Sequence, residues 1–368
     1  MQEVYLPDSA RLVADSLIKR YGLLTQHWSY DYSVVWRGME MLWELGKGQK
    51  YYDYIYDALD KLISPDGSMF EYSMDAYNLD LLCIGKQELL LWKKTGEQRF
   101  LSALKTLRRQ IDGQMRTSDG GFWHKKIYPN QIWLDGQHMA IPFYIAYELT
   151  FAKDDEGLKD ASRQLVLAYR HTYDPKTGLP CHGWDESRQA VWPDPETGRS
   201  AHSWGRAVGW YMVALADSLE MLPKENPYYE EIRGIFNELS AKLLSIRREG
   251  VWQQVLDCPE RAGNYLESSG SCMMIYALLK GARLGLLPKQ YGEEAAQSFV
   301  CAQKQFLGRM KNGEYFIGKC CKVAGLGGQG QRDGSYDYYM SEPIVSFDLK
   351  ATGAFIQAAC EYEKRTGA

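Results

Sequence analysis

Two aspartates stand where a polar segment of the sequence runs into an apolar helical stretch. Asp80 lies in the run NLDLLCIGK, and Asp135 lies in WLDGQHMAIPF. Paired carboxyl groups can act as general acid and base, or one of them can hold a ligand. The alternative is helix capping, which for the first junction means capping by Asn78 or Asp80. Pro142 would disturb a helix that begins at Asp135, so we expect a turn or a kinked segment there, with a freer carboxylate than a cap has.

Two further junctions carry basic side chains. His182 lies in CHGWDE within a long loop, where a single histidine is more often incidental than catalytic. Arg206 lies in SWGRAVGW, four residues before Trp210 and therefore on the same helical face. An Arg–carboxylate bridge stacked on tryptophan would explain this pair. The functional alternative is a clamp for a sugar carboxylate beside an aromatic platform.

Helical periodicity divides the chain into two kinds of segment. Six are apolar on most of their circumference and contain small residues or glycine: 36–45, 84–96, 140–150, 206–222, 268–285 and 350–367. Six others carry one apolar stripe: about 8–21, 50–63, 97–112, 155–171, 226–247 and 289–307. Buried and one-faced helices in alternation predict an all-α (α/α)6 barrel, with an open solenoid as the alternative. Short strands are expected at Gly121–Trp123 and Glu314–Ile317.

The links between these segments have unequal lengths. Links from buried to one-faced segments are short, whereas those in the other direction are long: about 64–77, 113–134, 172–202, 248–265 and 308–345. In a closed ring all the long links fall on one rim, and long ordered loops tend to carry function. Length alone suggests two domains, but the continuous alternation predicts one catalytic domain over residues 1–368.

Composition excludes several classes of protein. Lys and Arg total 43 against 47 for Asp and Glu, a net charge of −4, so we expect no nucleic-acid partner. No run of ~18 apolar residues and no secretory signal is visible, which predicts no membrane partner and a cytoplasmic location. The eight cysteines form no CxxC pair and the six histidines are dispersed, so no metal and no cofactor are predicted. Instead, 11 tryptophans and 26 tyrosines favour a carbohydrate or small-molecule site.

The chain resembles the unsaturated rhamnogalacturonyl hydrolases of glycoside hydrolase family 105, which are related to the unsaturated glucuronyl hydrolases of family 88. The resemblance rests on NLDLLCIGK, FWHKKIYPNQIWLDGQHMAIPF, CHGWDE and SWGRAVGW, and it continues through YLESSGSCMMIYALLKG and SFDLKATGAFIQAA. It covers essentially the whole chain. It implies an (α/α)6 barrel and an oligosaccharide substrate that ends in a 4,5-unsaturated galacturonic acid.

The resemblance also implies roles for the site residues. Asp135 is the general acid that adds a proton to C4, after which water adds at C5 and the hemiketal collapses. Asp80 holds sugar hydroxyls and, as a nearby like charge, keeps Asp135 protonated. The remaining matches contact or enclose the substrate: His182, Arg206, His124 and Lys125, with Trp133, Trp204 and Trp210 as a stacking wall. A helix N-terminus would oppose a raised pKa for either aspartate.

Three other functions stay open at this point. An unsaturated glucuronyl hydrolase differs only in the sugar beyond the uronate. An inverting glycosidase could use Asp80 and Asp135 on a saturated sugar, with the carboxyl groups roughly 6.5–9.5 Å apart. A non-enzymatic helical scaffold that binds a sugar or peptide would explain the repeats, but not the aspartates and the arginine at helix entrances. The chain is expected to be a monomer or a homodimer.

Overall fold

The computed structural model describes residues 5–152, 154–328, 330 and 332–366. In these ranges helices of an outer ring alternate with helices of an inner ring. The outer helices are α1 (Ser9–Tyr21), α3 (Lys50–Leu62), α5 (Gln98–Gly113), α7 (Glu156–Thr172), α9 (Tyr229–Ser245) and α11 (Lys289–Phe306). The inner helices are α2 (Tyr30–Glu44), α4 (Gly85–Thr95), α6 (Leu134–Phe151), α8 (Gly205–Met221), α10 (Ser268–Arg283) and α13 (Leu349–Thr366). A short helix, α12 (Tyr336–Ser341), lies in the last long link.

The burial of each helix follows its sequence pattern. In the outer helix α5, Phe100, Leu104 and Leu107 are fully buried while Lys105 and Arg109 are exposed. In the inner helix α8, residues 205–216 are all buried because other helices surround it. The predicted alternation of one-faced and buried helices is therefore confirmed.

The inner helices form a closed ring. Each contacts the next in chain order, and α13 contacts α2. Glycine permits the closest approaches: a Cβ on Gly270 of α10 would lie 2.7 Å from the Gly205 carbonyl oxygen of α8, and one on Gly353 of α13 would lie 2.6 Å from the backbone of Val34 in α2. The closed (α/α)6 barrel is thus confirmed over the open solenoid.

The strands are short and lie in the links. They are β1 (Gln131–Trp133), β2 (Tyr173–Asp174), β3 (Leu179–Pro180), β4 (Gly183–Asp185), β5 (Leu307–Arg309), β6 (Tyr315–Ile317), β7 (Cys320–Cys321) and β8 (Ile344–Val345). They pair antiparallel as β1–β4, β2–β3, β5–β6 and β7–β8. The strand expected at Glu314–Ile317 forms as β6. The one expected at Gly121–Trp123 was wrong, because Phe122 makes only an isolated bridge with Arg116 across a turn.

All the long links lie at the N-terminal ends of the inner helices, on the face that we call the rim. They comprise residues 63–84, 114–133, 173–204, 246–267 and 307–348. None of the helices in the described ranges is both long and apolar enough to cross a membrane.

Candidate active site

Asp135 lies in the first turn of α6, directly after β1. β1 pairs with β4 so that Trp133 stands opposite Gly183, and the Leu134 N–H donates to the His182 carbonyl at 3.1 Å. This pairing brings His182 Nε2 to 3.2 Å from Asp135 Oδ2. Neither atom has a well-aligned hydrogen-bond partner among the described residues. The two groups are therefore close, with unused bonding capacity.

The turn that Pro142 led us to expect at Asp135 does not form. The helix α6 begins at Leu134 and continues through Pro142 to Phe151. An interior proline costs ~3 kcal/mol, but α6 is buried along most of its length and packs against α4, α7 and α8. Tertiary packing outweighs the local preference, and the carboxyl group of Asp135 stands at a true helix N-terminus.

His182 is held from its other side by Tyr339. The tyrosine hydroxyl lies 2.9 Å from His182 Nδ1, and the imidazole also packs on Trp204 with ring centroids 4.8 Å apart. A hydrogen bond at Nδ1 fixes the ring orientation that points Nε2 at Asp135. Sequence reasoning missed Tyr339 because it lies in α12, a helix too short to show periodicity.

Asp80 forms an ion pair and does not cap a helix. The Asn78 side chain accepts the Asp80 backbone N–H at 3.0 Å, so the asparagine is the cap. The Asp80 carboxylate pairs with Lys125 Nζ at 2.6 Å and lies 3.6 Å from His124 Nε2. A backbone bridge between Asn78 and Lys125 joins the two segments. The sequence neighbours His124 and Lys125 thus both reach Asp80.

Electrostatics contradict the expected protonation of Asp135. Burial by itself raises the pKa of Asp135, but the charge of the adjacent His182, followed by that of His124, outweighs it and leaves the pKa below its usual value. Burial lowers the pKa of His124 to about 4. The charge of Asp80 is meanwhile compensated by Lys125. Without a ligand, Asp135 is therefore an anion at neutral pH, and Asp80 does not keep it protonated.

Arg206 is a buried cation that forms no direct ion pair with a carboxylate of the described residues, although the charge of the buried Glu267 acts on it. Its guanidinium donates to the Cys321 carbonyl and, at 3.2 Å, to Ser269 Oγ, and it lies 4.5 Å above the Trp204 ring. The Glu267 carboxylate instead accepts at 2.7 Å from Ser269 Oγ, the same hydroxyl to which Arg206 donates. The structural alternative of an Arg–carboxylate bridge is therefore not formed. A buried charge of this kind suits an anionic ligand.

The three tryptophans pack on protein groups and do not form the open stacking wall that we expected. Trp133 is sandwiched between His124 and Tyr128, at centroid distances of 4.6 and 4.8 Å. Arg206 and His182 both pack on Trp204, as described above. Trp210 stacks on His138 at 4.5 Å. Because all three rings are buried against these groups, they orient the polar groups around them.

Tyr30 is a second residue that sequence reasoning missed. It is the first residue of α2, and its ring meets Trp210 edge-on with centroids 6.2 Å apart. Burial, followed by the charges of Asp31 and Asp80, raises its pKa, and the charges of Arg206 and Asp135 also act on it. Its hydroxyl therefore lies among the charged groups of the site. Nothing in the local sequence marks it.

A closed (α/α)6 barrel with an aspartate, a histidine and a buried arginine at its rim is an arrangement suited to carbohydrate chemistry. The chain matches Glycosyl Hydrolase Family 88 along residues 10–366 and belongs to this family. It is thus a glycosidase of the family 88/105 type that acts on unsaturated glycosides, as the resemblance predicted.

Individual relatives are consistent with this family assignment. A family 105 glycoside hydrolase from C. acetobutylicum is 44% identical, with a TM-score of 0.94 over 97% of this chain and 99% of that one. The unsaturated rhamnogalacturonyl hydrolase YesR of Bacillus subtilis is 24% identical over 290 residues, which are 77% of this chain and 79% of the relative. An unsaturated glucuronyl hydrolase from Bacillus sp. GL1, 13% identical with a TM-score of 0.68 over 95% of this chain and 94% of that one, shares the fold.

Proposed function

We propose that this protein hydrolyses unsaturated rhamnogalacturonan disaccharides and removes their terminal 4,5-unsaturated galacturonic acid by hydration of its C4=C5 bond. The observation that carries the proposal is the buried guanidinium of Arg206, which forms no direct ion pair with a carboxylate of the described residues and packs on the same Trp204 ring as His182, the neighbour of Asp135. A uronate carboxylate supplies this direct ion pair. The likeness to YesR supports the rhamnogalacturonyl substrate.

The proposed reaction adds water across the C4=C5 bond of the sugar. Protonated Asp135 gives its proton to C4, and the positive charge that develops is shared by C5 and the ring oxygen. Water then attacks C5 and returns a proton to the Asp135 carboxylate. The hemiketal at C5 opens to a ketone and leaves a hemiacetal at C1. This hemiacetal collapses to an aldehyde, which breaks the glycosidic bond, and its proton passes to the attached sugar, which leaves as the free alcohol. Asp80, with Lys125 beside it, accepts hydrogen bonds from the sugar hydroxyls.

Substrate binding supplies the protonation that the ligand-free site lacks. A carboxylate that pairs with Arg206 cancels its positive charge and brings a negative charge towards Asp135. Both changes raise the pKa of Asp135, because a nearby like charge disfavours the anion. Substrate binding in this way causes Asp135 to take up a proton from solvent.

The first test is the ultraviolet absorbance of the conjugated enol ether in an unsaturated rhamnogalacturonan disaccharide, with rhamnose measured in parallel. Loss of absorbance with release of rhamnose is the expected result. Turnover of an unsaturated glucuronyl disaccharide alone would move the substrate assignment to that class. Activity on saturated glycosides alone would replace the proposal with an inverting glycosidase, and binding without turnover would leave a carbohydrate-binding scaffold.

The pH dependence tests the role of the substrate charge. The profile of kcat/KM reports the free enzyme, and that of kcat reports the complex. Because Asp135 must be protonated to react, both rates fall as pH rises through its pKa. We expect kcat/KM to fall at lower pH than kcat, since the pKa of Asp135 is lowered in the free enzyme. Coincident profiles would contradict protonation assisted by the substrate.

A further inference from the structure

We propose that the rim holds a Zn²⁺ site formed by His202, Asp257 and Cys258, separate from the sugar site. His202 Nδ1 lies 2.7 Å from Asp257 Oδ2, and Cys258 Sγ lies 3.5 Å from the same nitrogen and 3.8 Å from the same oxygen. Among the described residues this is the one group of three such side chains whose ligand atoms can meet at an ion. Imidazole, carboxylate and thiolate are the ligands that zinc prefers.

The backbone brings these ligands together before any metal binds. Residues 202–205 run antiparallel to residues 254–257, with Trp204 paired to Val255. The Leu256 N–H donates to the Ser203 carbonyl at 2.9 Å, and the Gly205 N–H donates to the Gln254 carbonyl at 2.8 Å. This register sets His202 directly opposite Asp257, where cross-strand side chains lie closest. Cys258 follows in the chain.

The distances between ligand atoms fit a tetrahedral ion. Zinc bonds of about 2.0–2.1 Å to nitrogen, 2.3 Å to sulfur and 2.0–2.2 Å to oxygen place ligand atoms roughly 3.4–3.6 Å apart. Both distances from Cys258 Sγ, 3.5 and 3.8 Å, are near this range. The 2.7 Å between His202 and Asp257 is shorter because these groups share a hydrogen bond. An ion needs them to separate by roughly 0.7 Å.

Charge and access also suit a metal. A thiolate and a carboxylate neutralise Zn²⁺, with the thiol proton released on binding. The side chains of His202 and Asp257 are 17% and 8% exposed, which gives access to the ion and to a water molecule as fourth ligand. The nearby cation Arg261 is paired with Asp337 at 3.0 Å.

Such an ion would fasten two rim links to each other. His202 belongs to the link 173–204, and Asp257 and Cys258 belong to the link 246–267. The His202 carbonyl accepts the His182 N–H at 3.1 Å, so the fastened segment adjoins the histidine that lies beside Asp135. The ion has no part in the proposed reaction, and we expect its effect on rim stability.

Metal titration of the intact, tag-free protein tests the proposal. We expect metal-free protein to bind one equivalent of Zn²⁺ and to unfold at a higher temperature when it is bound. Co²⁺ should give a thiolate-to-cobalt charge-transfer band. Cys258→Ser should abolish this band and weaken Zn²⁺ binding by more than the 10- to 100-fold that loss of an outer-shell partner costs. Cys301→Ser, at another half-buried cysteine, should leave both unchanged.

Two results would overturn the zinc site. One is the absence of stoichiometric binding. The other is unchanged Zn²⁺ affinity in both Cys258→Ser and His202→Gln, which alter the two links separately. Circular dichroism shows whether each variant is folded. Sugar turnover by Cys258→Ser should equal that of the parent protein, so failure of the zinc site and failure of the proposed function are distinguishable.

Discussion

The two ends of helix α8 differ in how their buried charges are paired. At the end away from the rim, Asp217 accepts hydrogen bonds from Lys280 at 2.6 Å and from the Tyr276 hydroxyl at 2.7 Å. Glu220 pairs with the same lysine at 2.7 Å. At the rim end, Arg206 has carbonyl and hydroxyl acceptors but no carboxylate in the described residues.

This difference separates structural charges from functional ones. Burying an ion costs several kcal/mol unless an opposite charge and hydrogen bonds accompany it. Asp217 and Lys280 satisfy each other, so their pairing needs nothing from outside the chain. Arg206 and the Asp135–His182 pair keep bonding capacity that a ligand can complete. The comparison therefore assigns ligand binding to the rim and stability to the far end.

The largest expected effect is the loss of catalysis in Asp135→Asn. An amide cannot donate the proton to C4, so kcat should fall by about 10²- to 10⁴-fold, the usual range for positioned acid–base catalysis. The absorbance assay measures the rate, and thermal unfolding checks that the variant folds. Turnover close to that of the parent protein would refute the role of Asp135.

A substitution at the end of α8 away from the rim should instead reduce stability and leave activity unchanged. Lys280→Met removes the cation that is hydrogen-bonded to the buried Asp217. The charges of Lys86 and Arg37 still act on Asp217, so the free energy of unfolding should fall by up to about 3–5 kcal/mol. The activity per folded molecule should not change.

The control is Lys159→Met, because Lys159 forms an exposed pair with Glu156, and such pairs contribute ~0–1 kcal/mol. Denaturant unfolding gives both values, and equal losses would remove the distinction between paired and unpaired charge.

Arg206→Lys should reduce substrate recognition without removing the charge. Lysine cannot form the two parallel hydrogen bonds that guanidinium gives a carboxylate. With hydrogen bonds to charged groups contributing about 1.5–3 kcal/mol, kcat/KM should fall about 10- to 150-fold. With the methyl ester of the same disaccharide as substrate, the substitution should lower kcat/KM less, because the ester lacks the carboxylate. Equal losses for acid and ester would place the carboxylate elsewhere.

The smallest expected effect concerns the orientation of His182. Tyr339→Phe removes the hydrogen bond at Nδ1, which at about 0.5–1.5 kcal/mol corresponds to a 2- to 12-fold fall in kcat. Tyr338→Phe is the matched control, since the Tyr338 hydroxyl bonds to Glu342 instead. A similar fall in both variants would indicate that the short helix acts only through packing.

The sequence predicts the ring of helices well because the spacing of apolar residues within each segment is enough to identify a helix and its buried face. Apolar spacing in segments such as 97–112 reports the face that a helix buries, and the helix forms there as α5. Pro142 shows the limit of local rules, since packing around α6 overrides the helix-breaking preference of proline. The short strand expected at Gly121–Trp123 failed for a related reason, because a three-residue pattern cannot specify a pairing partner.

The candidate site was predictable only in part. Asp80, Asp135, His182 and Arg206 stand at junctions that the sequence marks, and the structure gathers them at one rim. The ionisation of Asp135 and the contribution of Tyr339 are not visible in sequence, because they depend on contacts between distant segments. His182 and Tyr339 meet across 157 positions of the chain. The same holds for His202 and Asp257, which come together only through the pairing of two links.

The unequal links described above give the two faces of the ring different tolerance to inserted residues. The closure entropy of a flexible loop grows slowly, by about 0.6 kcal/mol for each doubling of its length. Long links such as 173–204 and 307–348 can therefore gain residues with little loss of stability of the ring. The link 96–97 has only two residues, so an insertion there would disturb the helices that it joins. Variation in substrate preference can thus accumulate in the rim links while the helices keep their packing, which makes these links the natural targets for redesigning the enzyme.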